Sequence, residues 1–428
     1  MRNAELFGLH SRKNLQPCKR RASQLSGWFE RLNWLELPGL QEEKETYQFV
    51  FCLAWDLLNK RAAKTAGAGP LHSMSYSTMV GYKKGRLEMK ALRKLGKGAE
   101  SVQLCEVEKP IPGPNDLLVK VMAAGICGTD LHILAEEYSH SVPVTLGHEY
   151  TGVVEQVGSG VTDFQVGDQV ISVSIAYSCG TCHYCRKGDP VHCTQKASIG
   201  VNVDGAMAEY MVIPADSAMK VPEQYKGSDI LALSEPIACC IRAVLEESEI
   251  YAGDVAVVSG PGIIGLLCVQ LARLRGARVI LSGTKADRER LELAKSLGAE
   301  WVCDNADDLA ALLARETAYG PDVWIECSGA GPALSQGISL VRKQGAFIQV
   351  GLYGKPVPMD MDMVVRKELK VTAGFAQARS SWEILLKLLE GNSLMLEPLV
   401  STRLPLADWK EGFAQFRDKK GIKIFLIP

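Results

Sequence analysis

The chain has 428 residues, 47% of them hydrophobic and 23% charged, with 48 Lys+Arg against 49 Asp+Glu for a net charge of −1. That length suits two or three domains, and the ordinary globular composition excludes a disordered or fibrous chain. Balanced charge argues against a nucleic-acid binder, which needs a basic face for phosphates. No apolar run approaches the ~20 residues of a membrane span, and the run Phe49 to Trp55 stops at Asp56, too short and too far in for a signal peptide.

Residues 1–88 carry 14 Lys+Arg and 8 Asp+Glu and no motif with chemistry attached. Three readings stand for this N-terminal extension: a helical appendage, a targeting sequence, or codons upstream of a true start at Met74, Met79 or Met89. The third is preferred, and acidic residues at Glu5, Glu30 and Glu36 disfavour a transit peptide. From Met89 to about 235, short runs such as Leu117–Ile126, Gly152–Val157 and Gln169–Val173, punctuated by Gly and Pro, predict a β-rich region. From about 237, apolar runs alternate with helix-length segments. Val255–Ser259 precedes Ile263–Arg275, Arg278–Ser282 precedes Asp287–Leu297, and Asp322–Glu326 precedes Ala333–Arg342 and then Ala346–Val350. This alternation predicts an α/β region with a doubly wound parallel sheet.

Gly260-Pro261-Gly262-Ile263-Ile264-Gly265 lies between a predicted strand and a predicted helix. In that setting the first glycine makes a tight turn, the second admits a pyrophosphate to the backbone and the third lets helix and strand pack closely. The next strand ends in Gly283, where an acid would bind the ribose 2′-hydroxyl of NAD, and Thr284, Lys285 and Arg288 follow. The missing carboxylate and the two cations favour NADP over NAD. Asp287 is read as a helix N-cap.

Four of the 13 cysteines, Cys179, Cys182, Cys185 and Cys193, crowd into one short segment. Such clustering points to a metal site in a reducing compartment, taken as the cytoplasm. The spacing suits a closed structural zinc site, with an iron–sulfur cluster as the alternative. Cys127, with Thr129, Asp130 and His132 close behind it, and the pair His148-Glu149 offer thiolate, imidazole and carboxylate ligands for a second, catalytic zinc.

Taken together, residues 89–428 resemble the zinc-dependent medium-chain dehydrogenase/reductase family. The likeness rests on Gly147-His148-Glu149-x2-Gly152-x5-Gly158-x2-Val161, on Gly167-Asp168-Gln169-Val170 and on the four-cysteine segment. It implies a GroES-like β-rich catalytic domain at 89–236 and 375–428, enclosing a Rossmann domain at 237–374. It also implies two zinc ions per subunit, a small-molecule alcohol or ketone substrate, and a homodimer or homotetramer. Within the family the chain is similar to the sorbitol/polyol and threonine dehydrogenase branch. There Glu235 corresponds to a glutamate that ligates the metal or holds its water. Thr129 takes the place of a hydroxyl that bonds the substrate oxygen, and His132 that of the histidine ending a proton relay. Asp130 is read as a support for the loop or a ligand, and Cys239 and Cys240 as core. Phe375-Ala376-Gln377 stands where animal sorbitol dehydrogenases have Phe-Arg-Tyr, which removes two polyol contacts. The expected reaction is hydride transfer between a secondary alcohol, best a polyol, and NAD(P). The alternatives are L-threonine 3-dehydrogenase-type oxidation and a coenzyme-binding redox sensor without turnover.

Overall fold

The structure, a computed structural model, describes residues 87–428. All but the last two residues of the 1–88 extension lie outside the described residues. The described chain opens with β1 (Glu88–Lys94), β2 (Val102–Glu108), β3 (Asp116–Gly125), helix α1 (Gly128–Leu134), β4 (Val144–Thr145), β5 (Glu149–Val157) and β6 (Gln169–Ser172). Strands β7 (Ile175–Tyr177) and β8 (Ala197–Ser198) flank the cysteine-rich segment, and β9 (Tyr210–Pro214) and β10 (Ala218–Lys220) follow. Helix α2 (Ser234–Ile241) runs into a π-helical turn, Arg242–Glu246. Then come β11 (Val255–Ser259), α3 (Ile263–Leu274), β12 (Arg278–Ser282), α4 (Arg288–Ser296), β13 (Trp301–Cys303), α5 (Ala306–Glu316), β14 (Val323–Glu326), α6 (Gly331–Leu340), β15 (Ala346–Gln349), α7 (Met361–Arg366) and β16 (Lys370–Ala373). Helix α8 (Arg379–Glu390), β17 (Val400–Pro405), α9 (Trp409–Arg417) and β18 (Lys423–Ile427) complete the chain.

The parallel sheet has the order β13-β12-β11-β14-β15-β16. That is the doubly wound order, with its crevice where β11 and β14 send the chain in opposite directions. Every residue of β11 is buried. Ala256 and Val258 join one apolar layer with Leu266 of α3, while Val255 and Val257 join another with Leu309 of α5 and Ile338 of α6. A strand covered on both faces must be apolar throughout, so its sequence shows an unbroken run. Predicted and observed elements differ mainly at the ends: Asp287–Leu297 becomes α4 at Arg288–Ser296, behind a 3₁₀ turn at Lys285–Asp287.

The second large sheet has the order β10-β6-β5-β3-β18-β17, with β9 also on β3. The first half of β3 pairs with β9 and its last residues with β18, both antiparallel. The chain therefore leaves this sheet after β10, builds the parallel sheet, and returns to insert β18 beside β3. Leu117, Val119, Val154, Met211 and Leu426 fill the core of this part. Among the described residues no helix is long and apolar enough to cross a membrane.

Candidate active site

Cys127 sits between β3 and α1. Asp130 Oδ2 accepts a hydrogen bond from the Cys127 backbone N–H at 2.8 Å, so the first turn of the helix fixes the thiol. His148 and Glu149 enter from the start of β5, whose register sets Glu149 against Gly125 at the end of β3. Ligand atoms of Cys127, His148 and Glu149 all lie within 4.8 Å of one another. Asp130 and His148 are buried. Asp130 Oδ1 and His148 Nδ1 lie 4.0 Å apart, and neither has a hydrogen-bond partner among the described residues. Burying two unpaired polar atoms is costly. A cation on the other imidazole nitrogen leaves Nδ1 to carry the proton, with Asp130 as its neighbouring acceptor.

The electrostatics favour a cation as well. Burial pushes the carboxyl groups of Asp130 and Glu235 up, partly offset by the nearby His148 charge. For His148, burial opposes the charged form, but the Cys127 thiolate, Asp130 and Glu235 outweigh it and hold the imidazole well above its ordinary value. Where anions crowd enough to trap a proton on histidine, a divalent ion is a fitting replacement.

One member of this cluster escapes sequence reasoning. Lys423, which opens β18, is buried with its Nζ 2.8 and 2.6 Å from the two oxygens of Glu149 and 2.9 Å from the Ile126 carbonyl. The available signal was a lysine leading the apolar run Ile424-Phe425-Leu426-Ile427. Glu149 thus faces two claims, from the metal cluster and from a buried ammonium.

Glu235, in the first turn of α2, is also buried. Its Oε1 accepts from Gln377 Nε2 at 2.8 Å and from the Cys239 thiol at 3.4 Å. Cys240 is core, as expected, but Cys239 is not. One residue apart on a helix, they face different ways, and Cys239 lies one turn beyond Glu235, close enough to feel the charges of Glu235, Cys127 and Glu149. The Cys127 thiol donates to the Thr129 hydroxyl oxygen at 3.7 Å. His132 Nδ1 lies 2.7 Å from Glu137 Oε2, and its side chain is about one-third exposed.

In the cysteine segment the four sulfurs lie within 4.8 Å of one another and none is in a disulfide. The Cys182 and Cys185 sulfurs are 3.5 Å apart, and those of Cys179 and Cys185 3.9 Å. Backbone N–H groups of Cys182, Cys179 and Gln195 point at the sulfurs of Cys179, Cys193 and Cys193 from 3.3 Å each. The Thr181 and Cys182 amides pull the Cys179 thiol down to about 6, whereas burial and the neighbouring thiols push Cys185 up to about 11. Four sulfurs clustered around N–H donors fit a tetrahedral metal.

Both halves of the fold open onto one cleft of about 1090 Å³. Its lining brings together Cys127, His132 and Glu149 with Gly260, Gly262, Ile263, Ile264, Gly283 and Thr284. Gly260 has φ +99°, and a Cβ there would lie 2.7 Å from Ser328 Cα, just past β14. A Cβ on Gly265 would stand 1.9 Å from the Gly260 carbonyl oxygen. These two glycines let the loop and helix pack tightly, as a dinucleotide cradle requires. Lys285 and Arg288 are exposed and do not line the cleft, whereas Arg290 does. Asp287 stands at the N-terminal boundary of α4, but its carboxylate turns back to accept from the Thr284 amide at 3.0 Å and hydroxyl at 2.7 Å.

Residues 113–223 match the family model for the alcohol dehydrogenase GroES-like domain, and residues 264–391 that for zinc-binding dehydrogenases. The chain is 36% identical to a sorbitol dehydrogenase of Halalkalibacterium halodurans, over 79% of this chain and 99% of that one. It is 35% identical to a D-arabitol-phosphate dehydrogenase of Enterococcus avium, over 79% and 97%. A zinc-binding dehydrogenase from Sinorhizobium meliloti, solved bound to NADP, superimposes with a TM-score of 0.73 at 33% identity, over 80% of this chain and all of that one.

Proposed function

Because the chain belongs to the zinc-dependent alcohol dehydrogenase family, we propose that it oxidises a secondary alcohol of the polyol or sugar-alcohol class to the ketone, and reduces the ketone in reverse, with NADP preferred over NAD. The observation carrying this reading is the single cleft that joins Cys127 and Glu149 to the Gly260–Gly265 loop. Cys127, His148 and Glu149 would hold the catalytic zinc, with Glu235 beside them, and Cys179, Cys182, Cys185 and Cys193 would hold a second, structural one. Zinc held there would supply a Lewis acid for the substrate oxygen, and a nicotinamide coenzyme would supply the hydride acceptor.

The protein's own residues do the rest. The glycine loop and the N-terminus of α3 bind the coenzyme phosphates. Thr129 hydrogen-bonds the substrate oxygen and passes its proton toward His132. The two stand three positions apart on α1 and share a face. A carboxylate can only accept, so Glu137 holds the His132 Nδ1 proton and leaves Nε2 as the base, near solvent. Asp130 keeps His148 oriented. Arg290 supports the NADP preference: it lines the cleft near Gly283, its carboxylate neighbour Asp287 is 4.0 Å away, and its Nη2 donates to the Lys419 carbonyl at 2.8 Å. The exposed edge strand β16 supports pairing with a second copy into a dimer or tetramer.

The test is absorbance at the reduced-coenzyme band, with NAD and NADP separately, against C4–C6 polyols, their phosphates, simple secondary alcohols and L-threonine. Rapid NADP reduction by a polyol that is lost in His148→Asn supports the reading. Faster turnover of L-threonine, or undiminished turnover by His148→Asn, overturns it.

A further inference from the structure

Sequence alone leaves Gln377 free to line a substrate pocket or to sit on the surface. The structure does neither with it. Gln377 is 1% exposed and absent from the lining of the cleft. Its Nε2 lies 2.8 Å from Glu235 Oε1 and 3.1 Å from Ser174 Oγ, while Ser174 Oγ lies 3.4 Å from Gln377 Oε1. The amide is thus clamped between a serine beyond β6 and the carboxylate that opens α2.

Two further features hold it there. Ala376, the preceding residue, has φ +53°, a left-handed conformation that a residue with a Cβ resists. On its other side the Phe375 ring stacks on His192 of the cysteine segment, with centroids 6.5 Å apart. The backbone is held in an unfavourable conformation while the Gln377 side chain turns inward. The consequence falls on Glu235. Both of its donors, Gln377 and Cys239, reach the same oxygen, Oε1. A carboxylate tied by one oxygen keeps one rotamer and has its second oxygen to give.

We propose that Gln377 is a positioning residue that fixes Glu235 at the catalytic metal, occupying one carboxylate oxygen so that the other alone serves the metal or the substrate hydroxyl. This rests on the zinc dehydrogenase reading above. An amide suits the role because it donates without adding charge to a cluster that already holds Lys423. Gln377 is therefore spent inward, with its amide engaged by Ser174 and Glu235.

The test uses the full chain with cobalt exchanged for zinc, and the cobalt-loaded His148→Asn protein as the reference for the cysteine site. Gln377→Met keeps the volume and removes the donor. Its visible cobalt spectrum should shift, and kcat should fall about 10- to 100-fold, the usual range for outer ligands, with NADPH affinity unchanged. Ser174→Ala, which removes only the brace, should move the spectrum in the same direction by less, and it stands in if Gln377→Met does not fold. A cobalt spectrum superimposable on the wild type, with kcat within about twofold, overturns the proposal. Wild-type protein that binds cobalt but oxidises no alcohol would sink the functional reading while leaving the spectral comparison able to judge Gln377.

Discussion

Replacing Lys423 by Met offers the sharpest check on the metal cradle. Lys423 and Glu149 are 1% and 2% exposed, with a shortest contact of 2.6 Å. Lys295 and Glu292 approach to 2.8 Å on the surface, where they are 50% and 60% exposed. The contacts are alike, so burial alone should separate them. Breaking an exposed pair costs about 0–1 kcal/mol, whereas stranding one charge of a buried pair costs about 3–5 kcal/mol. With a urea m-value of about 3 kcal/mol per molar, zinc-stripped Lys423→Met should unfold about 1–1.7 M earlier than wild type, and Lys295→Met almost unchanged. Adding Glu149→Gln to Lys423→Met removes the stranded carboxylate and should restore much of the loss. Zinc should also narrow the deficit, because it brings a cation to the same carboxylate. The midpoints are read from tryptophan fluorescence at matched zinc content. Equal midpoints for the two lysine variants, or no recovery in the double variant, would refute the assignment of Glu149 as a carboxylate shared between lysine and metal.

Three other outcomes follow. Arg290→Ala should weaken NADPH binding by about tenfold or more, equal to about 1.4 kcal/mol, and leave NADH nearly unaffected, as measured by quenching of protein fluorescence. Cys182→Ser should release one metal equivalent on gel filtration and lower thermal stability, since structural sites contribute folding energy directly. His148 adds a pH dependence. Its folded, metal-free pKa is raised, so the stabilisation from its proton is complete below the unfolded value and lost as pH climbs through the folded one. Metal must displace that proton, so cobalt affinity should increase with pH by about tenfold per unit for each proton released. A flat profile through that window would contradict the anionic surroundings described for His148.

The legible parts of the fold were those where one physical constraint dominated. Val255–Ser259 was readable because both faces of β11 are buried, and Gly260 and Gly265 because their neighbours leave no room for a Cβ. Strand β13 has three residues, too few for any period to show. Arg290 was missed because the 3₁₀ turn at Lys285–Asp287 shifts the phase of α4, so that Arg290 rather than Arg288 meets the cleft. Lys423 and Gln377 were illegible for another reason. Their partners lie 274 and 142 residues away, and no local pattern distinguishes a buried lysine at a strand start from an exposed one. Cys239 and Cys240 show the same limit at short range. Composition marks both as core, and only helix geometry sends one toward Glu235.

The insertion of β18 beside β3 has a consequence for synthesis. The Ile126 carbonyl and Lys423 are 297 residues apart. A ribosome adding about 5–20 residues per second needs roughly 15–60 s to cover that distance. Until then the nascent chain carries the thiol, imidazole and carboxylates of the catalytic site without the strand that covers them or the ammonium that pins Glu149. Competing cations and misplaced strand edges have that interval in which to act. Correct loading with zinc is therefore favoured once β18 has emerged from the ribosome, and a chain stalled before β18 presents an open sheet edge to the quality-control machinery together with an incomplete metal site.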